Sequence, residues 1–144
     1  MKLDIYRIAT PLCLLIAASP VSAQEASIEN GKVLYAENCA ACHGAKLEGQ
    51  KQWQRAGADG VFPAPPHDVT GHTWHHGDKL LFDYTKFGGA KALAARGVAD
   101  FKSGMPAFEE TLSDGEIRDI WAFIKSTWPP QAQAVQAERT AGEE

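Results

Sequence analysis

The chain has 144 residues, 44% hydrophobic and 22% charged, which is the composition of an ordinary globular protein of one domain. With 14 Lys and Arg against 18 Asp and Glu it is mildly acidic and carries no basic stripe, which excludes nucleic acid as a partner.

Residues 1–23 read as a secretory signal. Lys2 and Arg7 form a positive start diluted by Asp4, and an apolar run over residues 8–18 is interrupted by Pro11. Val21-Ser22-Ala23 has the small-x-small form that signal peptidase cleaves. A bilayer span takes about 20 apolar residues, and this run is shorter, with Pro20 just beyond it. The expectation is therefore cleavage before Gln24, export to a bacterial periplasm and no stable membrane insertion afterwards. Cys13 follows Thr10-Pro11-Leu12 rather than small residues, which argues against a lipid anchor. Cleavage removes Met1 and Cys13, so Cys39, Cys42 and Met105 are the sulfur residues of the exported chain.

Residues 27–43 form a predicted helix with Ile28, Gly31, Leu34 and Tyr35 on one face. Residues 44–76 are rich in Gly, Pro and His and lack a sustained period, so they read as a long loop. A short amphipathic helix follows over residues 78–87, ended by Gly88-Gly89, and a brief helical turn over 90–96. Ser113-Asp114-Gly115-Glu116 is a capping box, and Ile117, Ile120, Trp121 and Ile124 behind it make an apolar stripe. Pro129-Pro130 stops that helix. Residues 130–144 are mostly Gln, Ala, Glu and Pro with little to bury, and are expected to form a disordered tail after a domain spanning 24–129. No segment alternates like a strand, so the fold class is all-α. A loop as long as 44–76 fits such a fold when it wraps a large apolar cofactor.

Cys39-Ala40-Ala41-Cys42-His43 supplies that cofactor. Cys-x-x-Cys-His is the spacing at which two thiols add across the porphyrin vinyl groups and the adjacent imidazole reaches the iron. A structural zinc site would want a second ligand pair, a thioredoxin-like site a βαβ setting, and a disulfide across two residues would be strained. The reading is one covalent haem c on Cys39 and Cys42, with His43 as an axial iron ligand. Met105 lies between Gly104 and Pro106 in a non-periodic segment, where no helix or strand face accounts for it. A thioether held by that turn suits the sixth position of the iron in both oxidation states. The competing sixth ligands are His67, His72, His75 and His76.

On these residues the chain resembles the class I cytochromes c, the small bacterial monohaem type, from about Ile28 to Trp128. The parts fall in order: Gly31 and Tyr35 on the first helix, the Cys39–His43 motif followed by Gly44, a Pro-containing loop, Gly104-Met105-Pro106, and a capped helix with Trp121. The resemblance implies first and last helices crossing nearly at right angles, a glycine of one meeting an aromatic of the other, for which Gly31 and Trp121 are the candidates. It also implies that a proline carbonyl accepts the other N–H of the axial imidazole. Pro63, Pro65 and Pro66 are available, with Pro65 favoured. His67 departs from the pattern, since similar proteins usually carry an apolar residue there.

Gly71-His72-Thr73-Trp74-His75-His76-Gly77 has two readings. In the first, Trp74 packs on the haem and its indole N–H binds a propionate, because a buried carboxylate needs donors. In the second, three imidazoles within five residues bind copper or zinc. The function expected is one-electron transfer between periplasmic or membrane redox partners. The alternatives are a haem subunit of an oxidoreductase or small-ligand-binding protein, in which Met105 leaves the iron, and a copper-handling protein that uses the His72–His76 loop.

Overall fold

The computed structural model describes residues 25–143, and the leader expected over residues 1–23 lies outside them. Within the described residues the elements are six α-helices and one short 3₁₀ turn, with no strand. They are α1 (Ile28–Asn38), α2 (Ala40–His43), the turn Thr73–His75, α3 (Asp78–Phe87), α4 (Gly89–Ala94), α5 (Asp114–Ser126) and α6 (Pro130–Ala141). None is long and apolar enough to cross a membrane.

The packing of α1 on α5 is the principal helix contact. Ser113 starts α5 with the full capping box: its Oγ accepts from Glu116 N at 3.3 Å, and Glu116 Oε2 accepts from Ser113 N at 2.7 Å. Behind the cap, Ile117, Ile120 and Ile124 are buried almost completely and meet Tyr35 of α1 in one core. Asp119 lies buried at the start of α1, accepting from Ser27 N and Asn30 Nδ2, both at 2.7 Å. A carboxylate at that end also faces the positive pole of the helix.

Gly31 permits the close approach of α1 to α5, but by a different contact from the one expected. A Cβ there would overlap the Asp119 carbonyl and lie 3.0 Å from Ile120 N, so the glycine sits against backbone and not against the Trp121 ring. Trp121 is turned elsewhere: its Nε1 donates to Thr85 Oγ1 at 3.1 Å, locking α5 to α3. The aromatic of α5 that pairs with α1 is Phe123, 5.5 Å from the Tyr35 ring centroid.

The predicted long first helix breaks at Cys39 into α1 and the short α2, which ends at the left-handed Gly44 with φ 82°. The expected disordered tail requires a larger correction, since residues 130–141 form α6 and dock. The proline pair does end α5, but Pro130 stands at the first position of a new helix, where a missing N–H costs nothing. The side chains α6 buries are Ala132 and Gln136, so its attachment rests on a small residue and a hydrogen-bonded amide. A search for an apolar stripe passes over such a helix.

Candidate haem site

His43 closes α2 and is buried, 6% exposed. Its Nδ1 lies 2.9 Å from the Pro65 carbonyl. A carbonyl only accepts, so Nδ1 carries the proton and Nε2 keeps its lone pair. Burial holds the imidazole below its ordinary pKa, partly opposed by the bond to Pro65, which keeps the ring neutral and able to ligate. Backbone bonds fix that carbonyl from both sides: Gln50 N donates to Ala64 O at 2.8 Å and His67 N to Leu47 O at 2.8 Å. Two consecutive prolines stiffen the segment between them.

Cys39, at the N-cap of α2, and Cys42, within it beside His43, are free thiols. Cys39 is buried and Cys42 exposed; burial, then the neighbouring Cys42, pushes the Cys39 thiol up to about 11. Two thiols and an imidazole with a free Nε2, on one turn, are the donor set that thioether attachment of haem requires.

Trp74 supplies a second observation. Its Nε1 is buried and has no partner among the described residues. An indole N–H removed from water costs free energy unless an acceptor meets it, and a haem propionate is such an acceptor. The ring packs beside the main core and against His75, 3.8 Å between centroids.

Met105 reaches its place by a different route. The last carbonyls of α3 lack helical partners, and the strand of chain after Met105 satisfies them. Phe108 N donates to Thr85 O at 3.2 Å and to Lys86 O at 3.1 Å, and Glu109 N to Lys86 O at 3.0 Å. Met105 O accepts from Gly89 N at 3.3 Å and Met105 N donates to Ser103 Oγ at 3.1 Å. The half-buried thioether is thus carried on a loop pinned to the end of α3.

His67, whose position the sequence left open, is buried and stacked on His43, with ring centroids 4.0 Å apart and planes 21° apart. Thr73 Oγ1 gives its one proton to Pro66 O at 3.2 Å and therefore accepts from His67 Nδ1 at 3.0 Å. Trp128 Nε1 donates to the His67 carbonyl at 2.7 Å. Burial, then the neighbouring His43 and His72, holds the His67 imidazole well below its ordinary pKa. This stack is not legible in the sequence because His67 lies on a segment with no period, which only the closed loop brings onto His43.

The other three histidines do not converge. His72 stacks on Trp53 at 5.2 Å and meets His76 edge-on at 5.2 Å, while His75 is engaged by Trp74. Among the described residues no group of three His, Cys, Asp or Glu side chains is placed to hold a metal ion. That arrangement gives no support to the copper reading.

A small helical domain with a Cys-x-x-Cys-His turn and an oriented imidazole is a c-type haem-binding domain. Residues 28–128 match the family model for cytochrome c, and the chain belongs to that family. It therefore carries covalently bound haem c. Two curated relatives are the cbb3-type cytochrome c oxidase subunit CcoP of Azospirillum brasilense, 30% identical over 76% of this chain, and that of Azospirillum sp. (strain B510), 33% identical over 72%. The matches cover 32% and 29% of those proteins, so this chain spans about a third of their length. No solved structure matches the chain significantly.

Proposed function

We propose that the chain is an exported one-electron carrier whose single haem is held by thioethers to Cys39 and Cys42 and ligated by His43 and Met105. The observation that carries this reading is the bond from His43 Nδ1 to Pro65 O, which leaves Nε2 free beside two unpaired thiols. The haem supplies an iron that cycles between two oxidation states. The protein orients the proximal imidazole through Pro65, makes it a better donor, and holds a thioether on the loop after α4. Trp74 offers its indole N–H to a propionate, and His67 backs the proximal ring. The redox partners are periplasmic proteins or a membrane complex. A terminal oxidase fits that class, since both relatives are named as oxidase subunits.

Met105→His tests the ligand set. Imidazole favours ferric iron relative to thioether, so the reduction potential falls and the long-wavelength sulfur-to-iron band of the oxidised protein disappears. An unchanged potential and spectrum would move the sixth ligand elsewhere. Carbon monoxide added to the reduced protein distinguishes the small-ligand reading: a carrier with Met105 bound keeps its spectrum, and a ligand-binding subunit does not.

A further inference from the structure

The family match ends at residue 128, and α6 lies beyond it. Helix α3 has no cap of its own, because its N-cap residue is Gly77. The amides of its first turn are taken by α6 and the residues just after it instead. Asp78 N donates to Thr140 Oγ1 at 3.1 Å, and Lys79 N and Leu80 N donate to the two carboxylate oxygens of Glu143 at 2.8 and 3.2 Å. Gln136, only 4% exposed, donates its Nε2 to Asp78 Oδ1 at 2.6 Å and reaches the His76 carbonyl at 3.4 Å. Lys125 of α5 completes the junction, with its Nζ 2.9 Å from Asp78 Oδ1.

These bonds do more than finish a helix. Ala132, Gln136 and Thr140 recur at helical spacing on α6, with Glu143 just past its C-terminal end, so one face of α6 meets α3 and the turn Thr73–His75 together. Trp74 sits on that turn, and the chain runs from it through His76 and Gly77 directly into the capped residues. At Gly77 the two segments lie close together: a Cβ there would run into the Glu143 carboxylate and lie 2.9 Å from Arg139 O. At the other end of the loop, His72 is held by its stack on Trp53.

We propose that α6 is a clamp on the haem edge, in which Glu143, Thr140 and Gln136 are positioning residues that hold loop 72–77 and so aim the Trp74 indole. The step from loop to haem rests on the reading of Trp74 as a propionate donor; the step from α6 to loop does not. Glu143 is the contact that takes two amides at once, through both oxygens of a charged carboxylate.

The test uses the haem-loaded protein and compares Glu143→Ala, Glu143→Gln, Trp74→Phe and the Glu143→Ala/Trp74→Phe double variant, each with wild-type visible bands and helical circular dichroism. In Glu143→Ala, amide exchange at Lys79 and Leu80 rises roughly fivefold, the loss of one helix cap, and the rise extends back through Thr73 to His76. Glu143→Gln, which keeps one acceptor oxygen, restores part of the protection. The potential of Glu143→Ala moves in the same direction as that of Trp74→Phe, and the double variant shifts less than the sum of the two. Faster exchange confined to Lys79 and Leu80, with loop 72–77 and the potential at wild-type values, would reduce α6 to a cap and overturn the clamp. If Trp74→Phe alone leaves the potential unmoved, the propionate reading fails, and exchange in the loop decides the clamp by itself.

Discussion

The α1–α5 face and the His43 side of the molecule are built on opposite principles. Across α1 and α5 the chain packs on itself closely: Gly31 meets backbone, three isoleucines share a core with Tyr35, and the buried Asp119 accepts two short hydrogen bonds. The His43 side gathers imidazoles, thiols and an indole on short turns and loops, held by scattered backbone bonds, and leaves one buried N–H without an acceptor among the described residues. A close-packed interface rewards each residue locally, whereas the loops become a good arrangement only around the haem. Substitutions on the two sides therefore differ in what they alter as well as in how much.

The largest effect belongs to the attachment pair. Cys39→Ser or Cys42→Ser removes one thioether, and the yield of holoprotein collapses, as read by intact mass and by haem released into acid–acetone. Retention of wild-type yield would break the division, because the loops would then be organised without that linkage. Gly31→Ala strikes the other region. The added methyl meets a backbone carbonyl that cannot swing aside, so the cost is roughly 3 kcal/mol, the upper part of the usual overpacking range. Denaturant unfolding of the holoprotein measures it, and the potential is expected to stay where it was.

Trp74→Phe reverses that signature. Most of the packing survives while the donor is lost, which costs about 1–3 kcal/mol when a buried charged acceptor loses its partner. The potential shifts with it. A stability loss without a potential shift would place Trp74 among the scaffold residues instead.

The smallest effect is a pH dependence in the His loop. His76 lies below its ordinary value of 6.5 because of burial, with His72, His75 and Arg139 acting the same way and Glu143 against them. Below pH 6.5 the unfolded chain takes up a proton that the folded one refuses, so the stability from neutral His76 is complete above 6.5. It is lost as the pH falls through the window toward the depressed folded value. His76→Asn will flatten part of the acid slope of stability seen in denaturant titrations between pH 7 and 5. Identical slopes would show that His76 titrates alike in both states.

Much of the scaffold was legible from local pattern. The capping box at Ser113, the Ile117–Ile124 stripe and the amphipathic residues 78–87 are each specified by neighbours three or four positions away, and all three form as expected. The helix over residues 130–141 was not legible, for the complementary reason. It is stabilised by Gln136, Thr140 and Glu143, polar side chains whose acceptors and donors lie some sixty residues earlier in the chain. Gly31 was legible as a point of close approach, but its partner was not, because which atoms of α5 face it depends on how the two helices cross.

The sequence by itself determined the chemistry: two thiols and an imidazole at a spacing that attaches haem, a methionine in a Gly-Pro turn, and the helices that carry them. Covalent spacing and helical periodicity are short-range properties, and they survive being read one residue at a time. Only the tertiary structure decided that Pro65 orients His43, that His67 stacks behind it, that the Trp74 indole is buried unpaired, and that α6 reaches back to cap α3. Each of these joins segments distant in the chain through a hydrogen bond or a ring contact, and such contacts exist only after the loops have closed.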